Sequence, residues 1–342
     1  MKKLLTSVLL AGLASVFAIA IAAQGQLNGA GASFPYPIYS KWFDTYSKMK
    51  GVPINYQSVG SGAGIRQVTA GTVDFGASDG PMTDEQMAEY EKNRGGKIYH
   101  FPTVLGAVVP TYNIPGVTAD LKFTQKALAG IYLGTISKWN DSEIAKSNSG
   151  VKLPADDIVV VHRSDGSGTT YIWTDFLSKA SEEWKSKVGK NTAVKWPAGL
   201  GGKGNEGVSG LVKQTPYSIG YVELIFALQN KLPFGDVQNP GGAFVRASLE
   251  TTTAAAAGAA KEMPADFRVS ITNAAGKTAY PICSFTWLLI PGKIADAGKR
   301  ETLKGFLQWM LTDGQKSAQE LFYAPLPKQV VDLELKAISK IQ

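Results

Sequence analysis

The chain has 342 residues, of which 44% are hydrophobic and 18% charged; this length suits two domains, and this composition excludes a largely disordered chain. The formal net charge is +7, but the lysines and arginines are scattered, which argues against a nucleic-acid-binding surface and leaves a modest attraction for anions. With two histidines and one cysteine, the sequence also offers little for a His/Cys metal site.

The first residues have the pattern of an export signal. Lys2 and Lys3 precede an apolar run over 4–20, and small residues follow before Gln24. This order predicts a signal peptide over 1–23 that is removed, which would place the mature protein in the periplasm. The competing interpretation is an uncleaved membrane anchor, for which the apolar run is short.

The segments that follow alternate between helix-like and strand-like patterns, which predicts an α/β fold. In the first hundred residues we expect a helix over 35–49, a strand over 52–57, a helix over 65–70 and a strand over 73–77. In the central part we expect helix and turn structure over 127–139, a strand over 158–162, a helix over 170–179, a strand over 218–222 and an alanine-rich surface helix over 251–260.

Two long extended runs, 99–112 and 281–290, are the candidates for strands that cross between domains. Such runs would bracket an inserted domain, while the two ends of the chain fold together. We therefore predict a first domain from residues 24–104 together with 283–342, and a second domain from 105–282.

Three glycine-rich segments share one physical design: 29–34 (GAGASF), 60–62 (GSG) and 166–169 (GSGT). Small residues at the start of a helix let its first backbone N–H groups, which have no partner within the helix, face a ligand. The helix dipole favours an anion at the same place, and Ser or Thr hydroxyls add donors. The competing interpretation of each segment is an ordinary helix cap.

Arg163 follows the predicted strand over 158–162 and precedes the third glycine-rich turn. Its planar guanidinium could bind a tetrahedral oxyanion. It could instead pair with Asp165, and both could hold if Asp165 orients Arg163.

Asp79 narrows the choice of anion. A carboxylate at a strand end repels a bare anion, so we expect it to be buried, ionised and opposite a ligand that carries a proton. Phosphate carries one or two protons near neutral pH, whereas sulfate carries none and would leave Asp79 unpaired, which also argues against sulfate or molybdate. The competing interpretation is that Asp79 caps the segment that starts at Pro81.

Two motifs raise an enzyme interpretation. Residues 76–80 match G-x-S-x-G, but a nucleophile needs a base, and both His100 and His162 lie in apolar strands. Residues 202–207 match G-x-G-x-x-G, but no convincing strand leads into them, so we expect a turn-rich loop and no dinucleotide site. A phosphatase would need metals or a nucleophile–base pair, and neither is visible. We therefore expect neither catalysis nor a cofactor.

The ordered motifs closely resemble the periplasmic phosphate-binding proteins of the phosphate-specific (Pst) ABC transport system. The resemblance runs from about residue 28 to the C-terminal region and is weakest over 235–278. It rests on GAGASFP at 29–35, DFGASD at 74–79, IYLG at 131–134, RSDGSGT at 163–169, KWP at 195–197, GGKGN at 201–205 and IGYVE at 219–223. One departure is Gly62, where the family commonly has a second serine.

The resemblance implies a type II periplasmic-binding-protein fold, with two α/β lobes joined by crossover hinge strands that close on phosphate. It implies delivery to a membrane permease with a cytoplasmic ATPase, and a monomer that binds no nucleic acid. Asp165 would orient Arg163 without contacting the ligand itself. The implied phosphate contacts are Ser33, Phe34 through its backbone, Ser61, Asp79, Arg163, Ser167, Gly168 and Thr169.

Overall fold

The computed structural model describes residues 25–261 and 263–342. The predicted signal peptide over 1–23 lies outside the described residues and stays a prediction. The described chain is mixed α/β, with one eight-stranded and one three-stranded sheet. Its strands are β1 (Leu27–Gly31), β2 (Ile54–Ser58), β3 (Phe75–Ser78), β4 (Ile98–Asn113), β5 (Lys122–Phe123), β6 (Val159–Arg163), β7 (Leu200–Gly202), β8 (Ser218–Glu223), β9 (Asp236–Gln238), β10 (Phe244–Val245) and β11 (Cys283–Pro291).

Helices cover the sheets and connect most of the strands. They are α1 (Tyr36–Lys50), α2 (Ser61–Ala70), α3 (Asp84–Arg94), α4 (Gln125–Leu133), α5 (Ser142–Ala145), α6 (Gly168–Ala180), α7 (Glu182–Lys187), α8 (Gly204–Gln214), α9 (Leu224–Gln229), α10 (Leu249–Ala256), α11 (Ala297–Leu311) and α12 (Lys328–Ala337). Within the described ranges, no helix is long and apolar enough to cross a membrane.

The strand β4 joins the two parts of the large sheet, whose order is β2-β1-β3-β11-β4-β8-β6-β7. Residues 98–107 of β4 pair antiparallel with β11, and residues 108–113 pair antiparallel with β8. We call β2, β1, β3 and β11 the first half-sheet, and β8, β6 and β7 the second half-sheet. The extended run predicted over 99–112 is thus one strand that pairs with both half-sheets, and β11 matches the second run.

The helix α1 illustrates why the first predicted elements form. Pro37 lies in its first turn, where a missing N–H costs little, and Gly51 ends it in the left-handed region with a φ of 71°. Apolar residues spaced three and four apart give the helix one buried face. The buried residues are Ile38, Tyr39, Trp42, Phe43 and Tyr46.

The contact between α2 and β1 depends on glycine. A Cβ on Gly64 of α2 would lie 2.5 Å from the Cα of Gly31 in β1, so a larger residue would push the helix away. Gly31 also has a φ of 152°, which a residue with a side chain rarely adopts. This close packing puts the start of α2 beside the ends of β1 and β3.

The prediction of a surface helix over 251–260 is wrong in its bounds, since α10 spans Leu249–Ala256. The helix lies at the surface, with Glu250 and Thr253 exposed. Its buried face contains Ala255 and Ala256, whose small side chains allow α10 to pack closely on β4 and β11.

Candidate ligand-binding site

The predicted site residues converge between the two half-sheets, where β1, β3 and β6 end and α2, α6 and α8 begin. Hydrogen bonds join the two sides directly. The amide of Gly168 donates to Ser61 Oγ over 3.0 Å, and the amide of Gly62 donates to the carbonyl of Gly166 over 2.9 Å. The two sides are therefore closed against each other.

Ser33 and Phe34 lie in the turn from β1 to α1. The prediction that the segment 29–34 starts a helix is wrong, because its first three residues belong to β1 and the helix begins at Tyr36. The small residues are needed instead for close packing on the strand. In the described part of the chain, the backbone amides of Ser33 and Phe34 donate to no protein acceptor. Both N–H groups can therefore bind a ligand.

Ser61 is the first residue of α2, and its side chain reaches the second half-sheet. Its Oγ accepts hydrogen bonds from the amides of Gly168 at 3.0 Å and Asp79 at 3.4 Å. Because both acceptor positions of the hydroxyl are used, its hydrogen is left to donate to a third atom. A donor of this kind at a helix start suits an anion.

Asp79 follows β3 and is 1% exposed. Its Oδ1 accepts a hydrogen bond from Thr286 over 2.8 Å. Burial raises the pKa of Asp79 to about 7, although the hydrogen bond from Thr286 and the charge of Arg163 oppose that rise. Near neutral pH this carboxyl is therefore divided between its protonated and ionised forms, whereas the sequence led us to expect a fully ionised group. The capping interpretation is wrong, since Thr83 caps the helix that follows.

Arg163 and Asp165 form the ion pair that the sequence suggested. Arg163 Nε and Nη2 donate to the two carboxylate oxygens over 2.8 and 2.6 Å, and Arg163 is 3% exposed. Burial alone would raise the pKa of Asp165, but the hydrogen bonds and charge of Arg163 outweigh it and hold that pKa below its ordinary value. Asp165 thus fixes the guanidinium, whose Nη1 reaches Thr169 Oγ1 at 3.4 Å.

The third glycine-rich turn opens α6, as predicted. Ser167 is the cap, and its Oγ accepts an amide of the first helical turn over 3.0 Å. Gly168 lies so close to Asp79 that a Cβ would be 2.5 Å from the carboxylate Oδ2. The amide of Thr169 donates to no protein acceptor among the described residues. This turn therefore presents one free amide beside the buried carboxyl.

A fourth helix start, which we did not predict from the sequence, completes the site. The predicted turn-rich loop over 202–207 is wrong, because β7 pairs parallel with β6 and leads almost directly into α8 at Gly204. Asn205, in the first turn of α8, donates from Nδ2 to Ser33 Oγ at 3.0 Å and to Thr169 Oγ1 at 3.2 Å. The signal was present in the sequence as a fourth cluster of glycines followed by a polar residue.

The side chains around the site carry little net positive charge. The charge of Arg163 is offset by Asp165, and burial raises the pKa of Glu223 well above its ordinary value, which disfavours the charged form of that carboxyl. Recognition of an anion here therefore rests on aimed hydrogen-bond donors more than on charge. Among residues 25–261 and 263–342, no cluster of His, Cys, Asp and Glu could hold a metal ion.

The fold and the closed site between two half-sheets define a ligand-binding protein of the PBP class, and the family model described as PBP superfamily domain matches residues 18–314. Two relatives are each named Phosphate-binding protein PstS. The relative from Pasteurella multocida is 47% identical over 326 residues, which cover 95% of this chain and 93% of the relative. The relative from Xylella fastidiosa (strain Temecula1) is 46% identical over 307 residues, which cover 90% of this chain and 83% of the relative. The chain therefore belongs to the PstS family of phosphate-binding proteins.

A solved structure supports the fold. The phosphate binding protein from Stenotrophomonas maltophilia matches with a TM-score of 0.68 at 20% identity, over 91% of this chain and 93% of that chain. The predicted periplasmic-binding-protein fold is thereby confirmed. The names of the relatives describe binding proteins, which confirms that the chain is not an enzyme.

The two histidines make contacts that are typical of structural residues. His100 is buried, and its Nε2 accepts the amide of Met82 over 3.1 Å. His162 stacks on Trp196 with ring centroids 4.9 Å apart.

Proposed function

We propose that this chain binds inorganic phosphate in the periplasm and delivers it to an ABC importer. The observation that carries the proposal is one buried carboxyl, Asp79, facing a cleft whose other polar groups are mostly donors. The PstS names of the relatives support phosphate as the ligand. A membrane permease and a cytoplasmic ATPase are the proposed partners, and a cleaved signal over 1–23 would place the protein outside the inner membrane.

The proposed phosphate site uses donors from both half-sheets. Free amides at Phe34 and Thr169, hydroxyls and the guanidinium would surround the ligand oxygens at helix starts, where the dipoles favour negative charge. Asp165 would hold Arg163 in place without touching the ligand. The proposed contacts are Ser33, Phe34, Ser61, Asp79, Arg163, Ser167, Gly168 and Thr169.

Asp79 would select phosphate over sulfate by sharing a proton with the ligand. Its pKa of about 7 lies near the range in which phosphate changes from one to two protons, so one proton can lie between the two groups. Sulfate brings no proton, so above about pH 7 it would leave an ionised Asp79 buried against another anion. An unpaired buried charge of this kind is costly, so discrimination should grow as the pH rises above about 7.

We propose that two lobes close around this ligand. Residues 24–104 with 283–342 would form lobe I, and residues 105–282 would form lobe II. The partner change in β4 between Ala107 and Val108 supports a hinge near these boundaries. Direct bonds between the sides, such as that from Gly62 to Gly166, would form on closure.

Titration calorimetry of phosphate-stripped protein tests the proposal. We expect tight binding of phosphate and weaker binding of sulfate, with a difference that grows as the pH rises above about 7. Stripping by unfolding and dialysis matters, because ligand retained from the cell would mask the signal. Equal affinity for the two ions would overturn the proposed role of Asp79, and no binding of phosphate would overturn the proposed function.

A further inference from the structure

Asn205 occupies the place where the two half-sheets meet, and it is completely buried. Its amide Nδ2 donates both of its hydrogens: one to Ser33 Oγ at 3.0 Å and one to Thr169 Oγ1 at 3.2 Å. Its backbone N–H donates to Ser33 Oγ as well, at 3.2 Å. Ser33 belongs to the first side and Thr169 to the second, so one amide group bridges the closed cleft.

The orientation of this amide is fixed by its other end. Asn205 Oδ1 accepts the backbone N–H of Glu223 over 2.9 Å, at the end of β8. A flipped side chain would turn its NH₂ group against that N–H and leave Ser33 and Thr169 facing an oxygen. The network therefore determines which end of the amide donates to the hydroxyls.

These hydrogen bonds determine whether the hydroxyls of Ser33 and Thr169 donate or accept toward a ligand. A hydroxyl has one hydrogen to donate and two acceptor positions. At Ser33 both acceptor positions are filled by Asn205, and at Thr169 they are filled by Asn205 and by Arg163 Nη1. Each hydroxyl hydrogen must then point at a third atom. Both groups are thereby set to donate and cannot accept.

We propose that Asn205 is a positioning residue that holds the hydroxyl of Thr169, on its own side, and that of Ser33, across the closed cleft, as donors to the bound anion. This inference rests on the proposed phosphate binding. Donors set in advance bind an anion without having to reorient, and each has more effect in a site shielded from water. Ser61 offers an internal comparison, because its acceptor positions are filled by backbone amides and do not depend on Asn205.

Two substitutions of Asn205 test whether its hydrogen-bond donation to the two hydroxyls, and not only its packing, supports phosphate binding. Asn205→Ala removes the donor and should weaken phosphate binding about tenfold. Asn205→Asp keeps the shape but accepts hydrogen bonds, so both hydroxyls would turn toward it, and binding at about pH 8 should fall on the order of a hundredfold. That loss relative to the wild type should shrink toward about pH 5, where the introduced carboxyl regains a hydrogen to donate. The introduced carboxylate also repels the anion, so a double-mutant cycle is needed to distinguish the orientation of the hydroxyls from the effect of charge.

A double-mutant cycle measured by calorimetry on phosphate-stripped protein is the decisive test. In a Ser33→Ala, Thr169→Val background, Asn205→Ala should weaken phosphate binding less than about twofold, because the hydroxyls it acts through are gone. Asn230→Ala is the matched control: that half-buried amide bonds to Ser209 Oγ and the Phe226 carbonyl, and its loss should leave binding unchanged.

The outcomes are distinct. The same loss from Asn205→Ala in both backgrounds, or unchanged binding in Asn205→Asp, overturns the inference while the proposed function stands. A wild-type protein that fails to bind phosphate overturns both. If Asn205→Asp does not fold, Asn205→Ser, which can donate one hydrogen, should retain more affinity than Asn205→Ala, and the reverse order overturns the inference.

Discussion

Replacing Asp79 by Asn should stabilise the phosphate-free protein, and the gain should be greatest above neutral pH. Burial raises the pKa of Asp79 from 3.8 to about 7. One pKa unit corresponds to about 1.4 kcal/mol, so holding the carboxylate ionised in the folded state costs about 4 kcal/mol. This is an upper value, because any opening of the cleft hydrates the carboxylate. Asn keeps an oxygen that can accept the Thr286 hydroxyl and has no charge to bury.

The sign of the pH dependence follows from the direction of the shift. Between about pH 4 and pH 7 the unfolded chain loses the Asp79 proton while the folded chain keeps it, so stability falls as pH rises through this window. Above that window the cost is constant, and below it the cost is absent. The difference in unfolding free energy between Asp79→Asn and the wild type should therefore grow with pH by up to about 4 kcal/mol.

Urea unfolding of the two phosphate-stripped proteins across this pH range measures that difference. Asp44→Asn is a suitable control, because Asp44 lies exposed on α1 and pairs with Lys48, so its replacement should change stability by less than about 0.5 kcal/mol. A difference between Asp79→Asn and the wild type that does not change with pH would refute the reasoning. It would mean that the carboxyl is hydrated in the phosphate-free protein.

Three further predictions concern the site and its closure. Arg163→Ala should weaken phosphate binding on the order of a hundredfold and keep the folded circular-dichroism spectrum, whereas loss of that spectrum would show that the pair with Asp165 is structural. Gly168→Ala should abolish tight binding, because its Cβ would lie 2.5 Å from Asp79, while Gly210→Ala, which meets nothing within 4 Å, should bind normally. Small-angle scattering should show a smaller radius of gyration with phosphate than without, and identical curves would contradict closure.

The sequence predicted the residues whose chemistry is unusual for their position. Asp79 follows the buried strand β3 and Arg163 ends β6, positions where a charged side chain needs a special reason, and both lie in the cleft. The long strand β4 was predictable because it is buried almost throughout, pairing first with β11 and then with β8, and such burial requires a largely apolar run. These features follow from burial, and burial can be inferred from one sequence.

The sequence pattern did not distinguish glycines at a helix start from glycines that allow a strand to pack closely. The segment 29–34 looks like a helix start, yet its glycines serve the close packing of β1 against Gly64 and Phe75. The strand β7 consists of Leu200, Gly201 and Gly202, and three such residues carry no alternating pattern that would predict a strand. Because β7 went unrecognised, the helix start after it and the role of Asn205 were missed. Both errors concern contacts between segments far apart in the chain.

The most direct test of the central claim is the ratio of the sulfate and phosphate dissociation constants, measured by calorimetry for the wild type and for Asp79→Asn. We expect the wild type to favour phosphate, by a ratio that rises by up to about tenfold per pH unit above about pH 7, because sulfate cannot supply the proton that an ionised Asp79 lacks. In Asp79→Asn the new NH₂ group can donate to either ion, so the ratio should fall toward one. A wild-type ratio near one, or a large ratio that Asp79→Asn leaves unchanged, would contradict the account.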